Sequence, residues 1–246
     1  MTVCIAALAD KGKSLVLATD TMITMPGLSY EFEKSNLYKM YELEEKECFV
    51  LTAGSVLDAN MIISRSEKIL AKQKIDSSDI SFSFIVDVIR RVYQDVRREK
   101  VVQSLLETRG LTLETYYRNQ RMLAPEIINE VERALTTYNI GTELIVAGRS
   151  LATGETSYQI YTISHPGVVN CVTPVGYATT GSGALHASYY LIGTEYSSAK
   201  SLKTVEDIIK KAKKQAERAP GVGKTTMLKT LTVSGGDKDV SKPETK

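Results

Sequence analysis

Thr2 is the residue of this sequence whose chemistry depends most on its place in the chain. After removal of Met1 it would carry a free α-amine beside its own hydroxyl. A threonine hydroxyl is a poor nucleophile unless an adjacent base takes its proton. An α-amine can be that base, because its ordinary pKa of about 7.7–8.0 leaves part of the population neutral near physiological pH. The two groups could cleave an amide bond, although a Met-Thr start by itself is more typical of an ordinary chain.

Three further polar residues are of types that could assist such a reaction. Asp20 follows an apolar run, Lys39 lies in a second apolar run, and Ser182 stands between two glycines. A lysine ammonium lowers the pKa of a nearby amine, and a carboxylate fixes the position and charge of that lysine. Taken singly, Asp20 could instead cap a strand and Lys39 could lie on a solvated sheet edge. The interpretation therefore depends on whether the fold brings these groups together.

Short apolar runs separated by turn-forming or charged residues predict the strands that would position these groups. The strands expected before the first helix cover residues 3–9, 14–19, 37–43 and 48–53. A second block of strands is expected at 143–147, 158–163, 168–172 and 177–180, followed by a last strand at 225–233. The sequence thus predicts two blocks of four strands and a closing strand.

Apolar residues at helical spacing predict a pair of helices after each block. The first helix begins after Gly54-Ser55, where Ser55 and Asp58 have the spacing of a capping box. The other helices are expected after Ser77-Ser78, over 184–192 and over 205–216. The polar segment 99–139, interrupted near Gly110 and at Pro125, predicts an inserted helical hairpin.

This order of elements predicts an α+β fold, a four-layer α-β-β-α sandwich of two antiparallel sheets. We expect residues 1–233 to form a single domain that carries the helical insertion at about 99–139. The tail 234–246 is small, polar and charged, so it has too little apolar surface to offset the entropy lost on ordering. It is predicted to be flexible.

Composition argues against several classes of function. With 31 basic and 29 acidic residues the net charge is +2, which is too balanced to favour nucleic acid or an anionic membrane as a partner. Neither a membrane span nor an export signal is predicted, because no apolar run reaches about 18 residues. Cys4, Cys48 and Cys171 are each expected to be buried, reduced thiols rather than disulfides or metal ligands, which favours a cytoplasmic location. No cofactor or metal is predicted.

The order of the motifs resembles that of the β-type, catalytic subunits of the 20S proteasome and their simpler bacterial relatives. Thr2-Val3 leads into a strand, and LVLATDT at 15–21 is similar to the family's apolar strand ending in Ala-x-Asp-Ser/Thr. KMYEL at 39–43 and TAGS at 52–55 stand where the family has its catalytic lysine and its turn into the first helix. TGSG at 180–183 matches the family's Gly-Ser-Gly. Each motif alone is common, but four in this order over roughly residues 2–70 and 142–232 are more specific.

The resemblance implies an N-terminal-nucleophile hydrolase fold and the activity of a threonine peptidase. Thr2 would be the nucleophile, with Met1 trimmed by the cellular aminopeptidase. Lys39 would lie close to the Thr2 hydroxyl, Asp20 would pair with Lys39, and Ser182 would hydrogen-bond around the amine. The backbone N–H of Gly54 would point at the developing oxyanion, where the start of a helix assists it.

The resemblance also implies how a substrate would bind and which partners the chain would have. An extended peptide would pair as an added strand between the backbone of residues 21–24 and the Gly54 turn. The residues expected to contact it are Thr21, Ile23, Thr24, Thr52 and Val56. The uncharged side chains among them favour an apolar residue before the cleaved bond. Peptides or unfolded proteins, a homo-oligomeric ring or stacked rings, and an ATP-dependent unfoldase are the implied partners; nucleic acid and membranes are not.

The chain departs from the family in the loop before the last strand. The family has an aspartate and then a serine there, which support the amine, whereas this chain has Ala219-Pro220-Gly221-Val222; Met22 also stands where the family often has arginine. Loss of such supporting hydrogen bonds commonly lowers a rate by about an order of magnitude or more. Two alternatives therefore stay open. One is a catalytically impaired proteasome-like scaffold, and the other is a transpeptidase or ligase in which an amine captures the acyl-threonine.

The remaining candidates receive structural interpretations. His165 and His186 match no catalytic triad and are given no role. Residues 220–226 resemble the end of a phosphate-binding P-loop but lack its first glycine and its preceding strand. Four lysines of the helix at 205–216 are predicted to form a solvated basic face: Lys210, Lys211, Lys213 and Lys214.

Overall fold

The computed structural model describes residues 2–25, 30–33, 39–43, 48–76, 81–152 and 155–233, so the predicted flexible tail lies outside it. The strands are β1 (Cys4–Ala9), β2 (Ser14–Asp20), β3 (Met22–Met25), β4 (Tyr30–Glu33), β5 (Met40–Leu43), β6 (Cys48–Gly54), β7 (Thr142–Ala152), β8 (Glu155–Ser164), β9 (Val168–Cys171), β10 (Tyr177–Thr180) and β11 (Thr226–Thr232). The helices are α1 (Val56–Asp76), α2 (Phe82–Val101), α3 (Leu113–Asn119), α4 (Pro125–Thr137), α5 (Ala184–Gly193) and α6 (Leu202–Ala216). None of these helices is long and apolar enough to cross a membrane.

The strands form two larger antiparallel sheets and one separate hairpin. The first sheet has the order β10-β1-β2-β11, and the second has the order β5-β6-β7-β8-β9. The hairpin pairs β3 with β4. Every strand of the two larger sheets was predicted, but each sheet combines strands from both predicted blocks, so the blocks do not correspond to the sheets. The hairpin of β3 and β4 was not predicted.

Alternate residues of β1 face different layers, as the period of two in a strand requires. Val3, Ile5 and Ala7 pack with the apolar sides of α5 and α6. Cys4, Ala6 and Leu8 pack instead with residues of β6 and β7 in the second sheet. Because both faces of β1 are covered, the strand is an unbroken apolar run rather than an alternating one.

Helices α1 and α2 cover the outer face of the second sheet. Residues of the two helices such as Ile62, Ile89 and Val92 form one core with Val50 and Val146 of the sheet. The order of layers is therefore helices, sheet, sheet, helices. The chain is α+β with two antiparallel sheets, an arrangement compatible with the predicted α-β-β-α sandwich.

The segment between α2 and β7 is helical and is interrupted where the sequence indicates. A π turn over Val102–Leu106 and a 3-10 turn over Glu107–Arg109 follow α2, and Gly110 then has the left-handed φ of 69°. Pro125 is the first residue of α4, where its fixed φ suits a helix start. The segment has a small core of its own around Leu106, Tyr116 and Val131. The predicted helical character and its two breaks are confirmed.

Candidate active site

Thr2 is held at the start of β1 by the turn at residues 181–183. Its backbone N–H donates to the Ser182 hydroxyl at 3.2 Å, and its carbonyl accepts from the Gly183 N–H at 3.1 Å. Gly181 has φ of 92°, and a Cβ there would lie 2.3 Å from the Thr2 carbonyl oxygen, so glycine is required for this approach. With Met1 attached the Thr2 nitrogen is an amide, and it becomes an amine only when Met1 is removed.

Asp20 is fully buried at the end of β2 and accepts four hydrogen bonds. Its Oδ1 accepts from the Val3 N–H and from the Lys39 ammonium, both at 2.9 Å. Its Oδ2 accepts from the N–H groups of Met22 at 3.1 Å and Gly223 at 2.9 Å. A buried carboxylate is tolerated only when it is paired and hydrogen-bonded in this way. The predicted pairing of Asp20 with Lys39 is confirmed, and the catalytic role of the pair stays a prediction.

Lys39 is 5% exposed and lies beneath the start of β1. Its carbonyl accepts from the Thr52 N–H at 2.8 Å, and the Thr52 carbonyl in turn accepts from the Cys4 thiol at 3.3 Å. Burial raises the pKa of the Cys4 thiol, and the nearby Lys39 ammonium opposes that effect without reversing it. The cation is therefore next to β1, the strand that follows Thr2, and its closeness to the Thr2 hydroxyl stays a prediction.

The three cysteines differ in exposure, and this corrects one prediction. Cys4 and Cys48 are buried as expected, but Cys171 is exposed because it ends β9, the outermost strand of its sheet. Burial by itself would raise the pKa of Cys171, but hydrogen bonding with Thr173 outweighs it and the pKa lies below its ordinary value.

We expect alkylation under native conditions to distinguish the thiols. Iodoacetamide should modify Cys171 rapidly, because its thiol is exposed and more readily ionised than usual. Cys4 and Cys48 should react only after unfolding. Peptide mapping by mass spectrometry measures this, and rapid native modification of Cys4 would contradict the burial described here.

The loop before β11 supports Asp20 through its backbone. Lys213 of α6 is 1% exposed, and its ammonium donates to the carbonyls of Gly223 at 2.7 Å and Lys224 at 2.9 Å. It also pairs with Glu217 at 2.8 Å. Burial alone would raise the pKa of Glu217, but the hydrogen bonds from Lys213 and its neighbour hold that pKa below its ordinary value. The prediction that Lys213 belongs to a solvated face is therefore wrong, because the last turn of α6 packs against this loop.

Ala219 and Val222 stand where the resemblance led us to expect polar support for the amine. Each is 6% exposed and belongs to the core between the first sheet and its helices. A Cβ at Gly183 would lie 3.0 Å from a methyl group of Val222, so the two loops beside Thr2 are closely packed. At these two positions the loop contributes apolar packing, and its hydrogen bond to the site comes from the Gly223 N–H.

Gly54 ends β6 in a conformation that requires glycine. Its φ is 98°, and a Cβ would lie 1.8 Å from the Gly141 carbonyl oxygen, which accepts from the Ser55 N–H at 3.0 Å. Ser55 caps α1 by accepting from the Asp58 N–H at 3.3 Å. In a complete capping box the Asp58 carboxylate would accept from the Ser55 N–H. Here that carboxylate pairs with Lys100 at 2.6 Å instead, and the Ser55 N–H donates to Gly141.

A cavity of about 300 Å³ lies beside Thr2. It extends from the turn that carries Ser182 to the segment that leads into β7. The residues that line it are Thr2, Ala53, Gly54, Asn139, Gly141, Thr142, Glu143, His165, Gly181 and Ser182. The cavity has room for part of a substrate whose reacting carbonyl lies at Thr2, and Gly54 also lines it.

Three of the predicted substrate-contacting residues, Thr21, Thr52 and Val56, have side chains that the structure describes, and they do not line this cavity. Thr21 is 3% exposed and Thr52 is 5% exposed, so their side chains offer little surface. Ile23 and Thr24 lie in β3, paired with β4, and their side chains fall outside the described residues. Val56 is partly buried in the first turn of α1. Thr21, Thr52 and Val56 do not line the cavity, and the contacts of all five residues with substrate stay predictions.

Sequence reasoning missed three polar residues at or near the site. Glu143 and His165 line the cavity, and Lys213 organises the loop that contacts Asp20. Glu143 directly precedes an apolar run, and Lys213 falls on the apolar side of α6 with Ile209 and Ala216. The spacing of Lys213 could have indicated its burial, whereas nothing local distinguishes His165.

No protein-family model matches this chain, and no curated protein matches it either.

Proposed function

We propose that the chain, once Met1 is removed, is an N-terminal-nucleophile hydrolase that cleaves peptide bonds with Thr2. The observation that carries this proposal is the position of Thr2. It lies between the Ser182 hydroxyl and a buried Asp20–Lys39 pair that contacts the next residue, Val3. A cavity large enough for part of a peptide opens beside it.

The first half of the reaction forms an acyl-enzyme. The Thr2 hydroxyl oxygen bonds to the substrate carbonyl carbon while its proton passes to the Thr2 amine. The carbonyl oxygen becomes an oxyanion near the Gly54 N–H at the start of α1, which stabilises it. Collapse of this intermediate breaks the carbon–nitrogen bond, and the amine returns the proton to the departing nitrogen. The Lys39 ammonium favours the neutral amine, and Asp20 fixes the position of that ammonium.

The second half releases the acid product. Water attacks the acyl ester while the Thr2 amine takes its proton, and the Thr2 hydroxyl is restored when the ester bond breaks. If an amine takes the place of water, the same intermediate forms a new amide bond. Ser182 orients the Thr2 nitrogen in both halves.

The same proposal includes the setting in which the enzyme works. The fold is that of the N-terminal-nucleophile hydrolases, and the resemblance to proteasome β-type subunits supports a homo-oligomeric ring or stacked rings in the cytoplasm. Peptides or unfolded proteins are the substrates, delivered by an ATP-dependent unfoldase. An apolar residue precedes the cleaved bond, as the resemblance implies.

Covalent labelling tests the nucleophile. We expect the intact mass of the purified protein to show loss of Met1, and a β-lactone or epoxyketone probe to add one adduct per chain at Thr2. Thr2→Ala should abolish the adduct, because it removes the attacking oxygen, while Thr136→Ala, which removes an exposed threonine hydroxyl on α4, should keep the adduct. Retained Met1 with no labelling would contradict the proposal and favour the scaffold alternative.

Product analysis separates the two enzymatic outcomes. A peptide substrate is incubated with and without an added amine, and the products are identified by mass. Hydrolysis alone supports a peptidase, whereas transfer of the acyl group to the amine identifies a transpeptidase or ligase.

A further inference from the structure

The cavity beside Thr2 differs in formal charge from the rest of the site. Among the described residues that line it, Glu143 is the one carboxylate, and there is no lysine or arginine. The Lys39 ammonium, in contrast, faces Asp20 and does not line the cavity. The formal charge on the described lining of the cavity is therefore negative.

Glu143 is an exposed residue whose carboxylate is positioned by one neighbouring hydroxyl. Its carboxylate accepts a hydrogen bond from the Thr180 hydroxyl at the end of β10, and it forms no ion pair with any residue in the described ranges. Glu143 also acts electrostatically on the Tyr93 hydroxyl. Burial is the largest cause that raises the pKa of Tyr93 to about 12, and the negative charge of Glu143 is the next largest. A fixed carboxylate in a cavity wall attracts a cation or a strong hydrogen-bond donor.

His165 provides an independent indication of a ligand. It lines the same cavity from the turn between β8 and β9, and its Nδ1 is buried without a hydrogen-bond partner in the described part of the chain. Buried polar atoms are nearly always hydrogen-bonded, so an unsatisfied one next to a cavity points to a missing partner. A polar ligand, or water held with it, would supply that partner.

The position of the cavity indicates which part of a substrate it receives. Thr52 and Val56, expected on the carbonyl side of the cleaved bond, do not line it. The cavity is lined instead by Thr2, by Gly181 and Ser182, and by the turn at Ala53 and Gly54 that carries the proposed oxyanion donor. A peptide whose carbonyl reacts at Thr2 would therefore place its departing amine half here.

We infer that Glu143 makes this cavity a binding site for a basic residue, lysine or arginine, directly after the cleaved bond. The inference rests on the proposed function, because it assigns the departing half of the substrate to the cavity. The ammonium or guanidinium pairs with the Glu143 carboxylate, and the polar wall at His165 accommodates the backbone of the same residue. The expected specificity is cleavage before a basic residue.

A binding experiment tests the site without requiring catalysis. Lysine amide and norleucine amide differ in the terminal ammonium, and both are titrated into the Thr2→Ala chain by NMR or calorimetry. We expect lysine amide to bind roughly tenfold more tightly, as a hydrogen bond to a charged group allows. Thr2→Ala/Glu143→Gln should remove the difference, whereas Thr2→Ala/Glu126→Gln, with the same charge change at another exposed residue that does not line the cavity, should keep it. Equal binding of the two amides to Thr2→Ala overturns the inference, whether or not the Glu143 variant folds.

A cleavage experiment connects the site to the reaction. The chain lacking Met1 is incubated with a peptide library, and the cut positions are mapped by mass spectrometry. We expect bonds before lysine or arginine to be enriched, and the enrichment relative to other bonds to disappear in Glu143→Gln. Cleavage without enrichment overturns this inference and leaves the proposed function standing. Selective binding of lysine amide without any cleavage supports the basic site and contradicts the peptidase.

Discussion

Replacement of Asp20 with alanine is expected to lower the free energy of unfolding by about 3–5 kcal/mol and to abolish labelling of Thr2. The carboxylate is fully buried and accepts from three backbone N–H groups as well as from the Lys39 ammonium. Alanine would remove the acceptor for each of these donors together with the negative charge that faces the cation. Buried donors that lose their acceptors are strongly destabilising. Urea unfolding measures the first effect, and the adduct with a β-lactone probe measures the second.

Two other variants make the Asp20 experiment specific. Asp207→Ala removes a carboxylate from an exposed position on α6 and should change stability by less than about 0.5 kcal/mol. Asp20→Asn keeps the shape of the side chain but not its charge, so it should fold better than Asp20→Ala and still label poorly. Normal labelling of Asp20→Asn would show that the charge of Asp20 has no part in the reaction.

Replacement of Lys213 with methionine is expected to destabilise the protein by about 3–5 kcal/mol and to slow labelling of Thr2. The ammonium is 1% exposed and satisfies the carbonyls of Gly223 and Lys224, which methionine cannot do. The substitution also removes the ion pair between Lys213 and the largely buried carboxylate of Glu217. The Gly223 N–H would then be less firmly directed at Asp20. Urea unfolding and the rate constant for adduct formation measure the two effects.

Lys211→Met is the matched control, because Lys211 lies on the same helix and is exposed. It should leave stability within about 0.5 kcal/mol and the labelling rate unchanged. If Lys213→Met and Lys211→Met behave alike, Lys213 does not organise the loop. If Lys213→Met is unstable but labels at the normal rate, the loop supports the fold and not the site.

These two predictions concern one chain of contacts that leads to Thr2. Lys213 holds the backbone of residues 223 and 224, Gly223 donates to Asp20, and Asp20 accepts from Val3, the residue after Thr2. In the family that the sequence resembles, side chains of this loop support the amine. Here the backbone of the loop supports the carboxylate. The loop therefore contacts the site through its backbone, although Ala219 and Val222 carry no polar side chains.

Much of the architecture could be predicted because its signals are local. The apolar run of β1, the stripe of α2, the breaks at Gly110 and Pro125, and the start of α1 after Ser55 each depend on neighbours a few residues away. The hairpin of β3 and β4 was missed. Cys171 was wrongly expected to be buried, because its apolar neighbours do not reveal that β9 lies at the edge of a sheet.

The candidate site, like the fold, could be predicted only in part. Residue types and motif order in the sequence determined Thr2, Asp20, Lys39, Gly54 and Ser182 as candidates, because glycines and charged residues in apolar surroundings are visible without coordinates. Only the tertiary structure decided which groups meet. Contacts such as Thr2 with Ser182 and Asp20 with Gly223 join residues 180 and 203 positions apart. The burial of Lys213 and the arrangement of Glu143 and His165 around one cavity likewise depend on how sheets and helices pack. The position of Lys213 on the apolar side of α6 indicates its burial but not its partners, because the free energy of a buried charge depends on neighbours that the fold supplies.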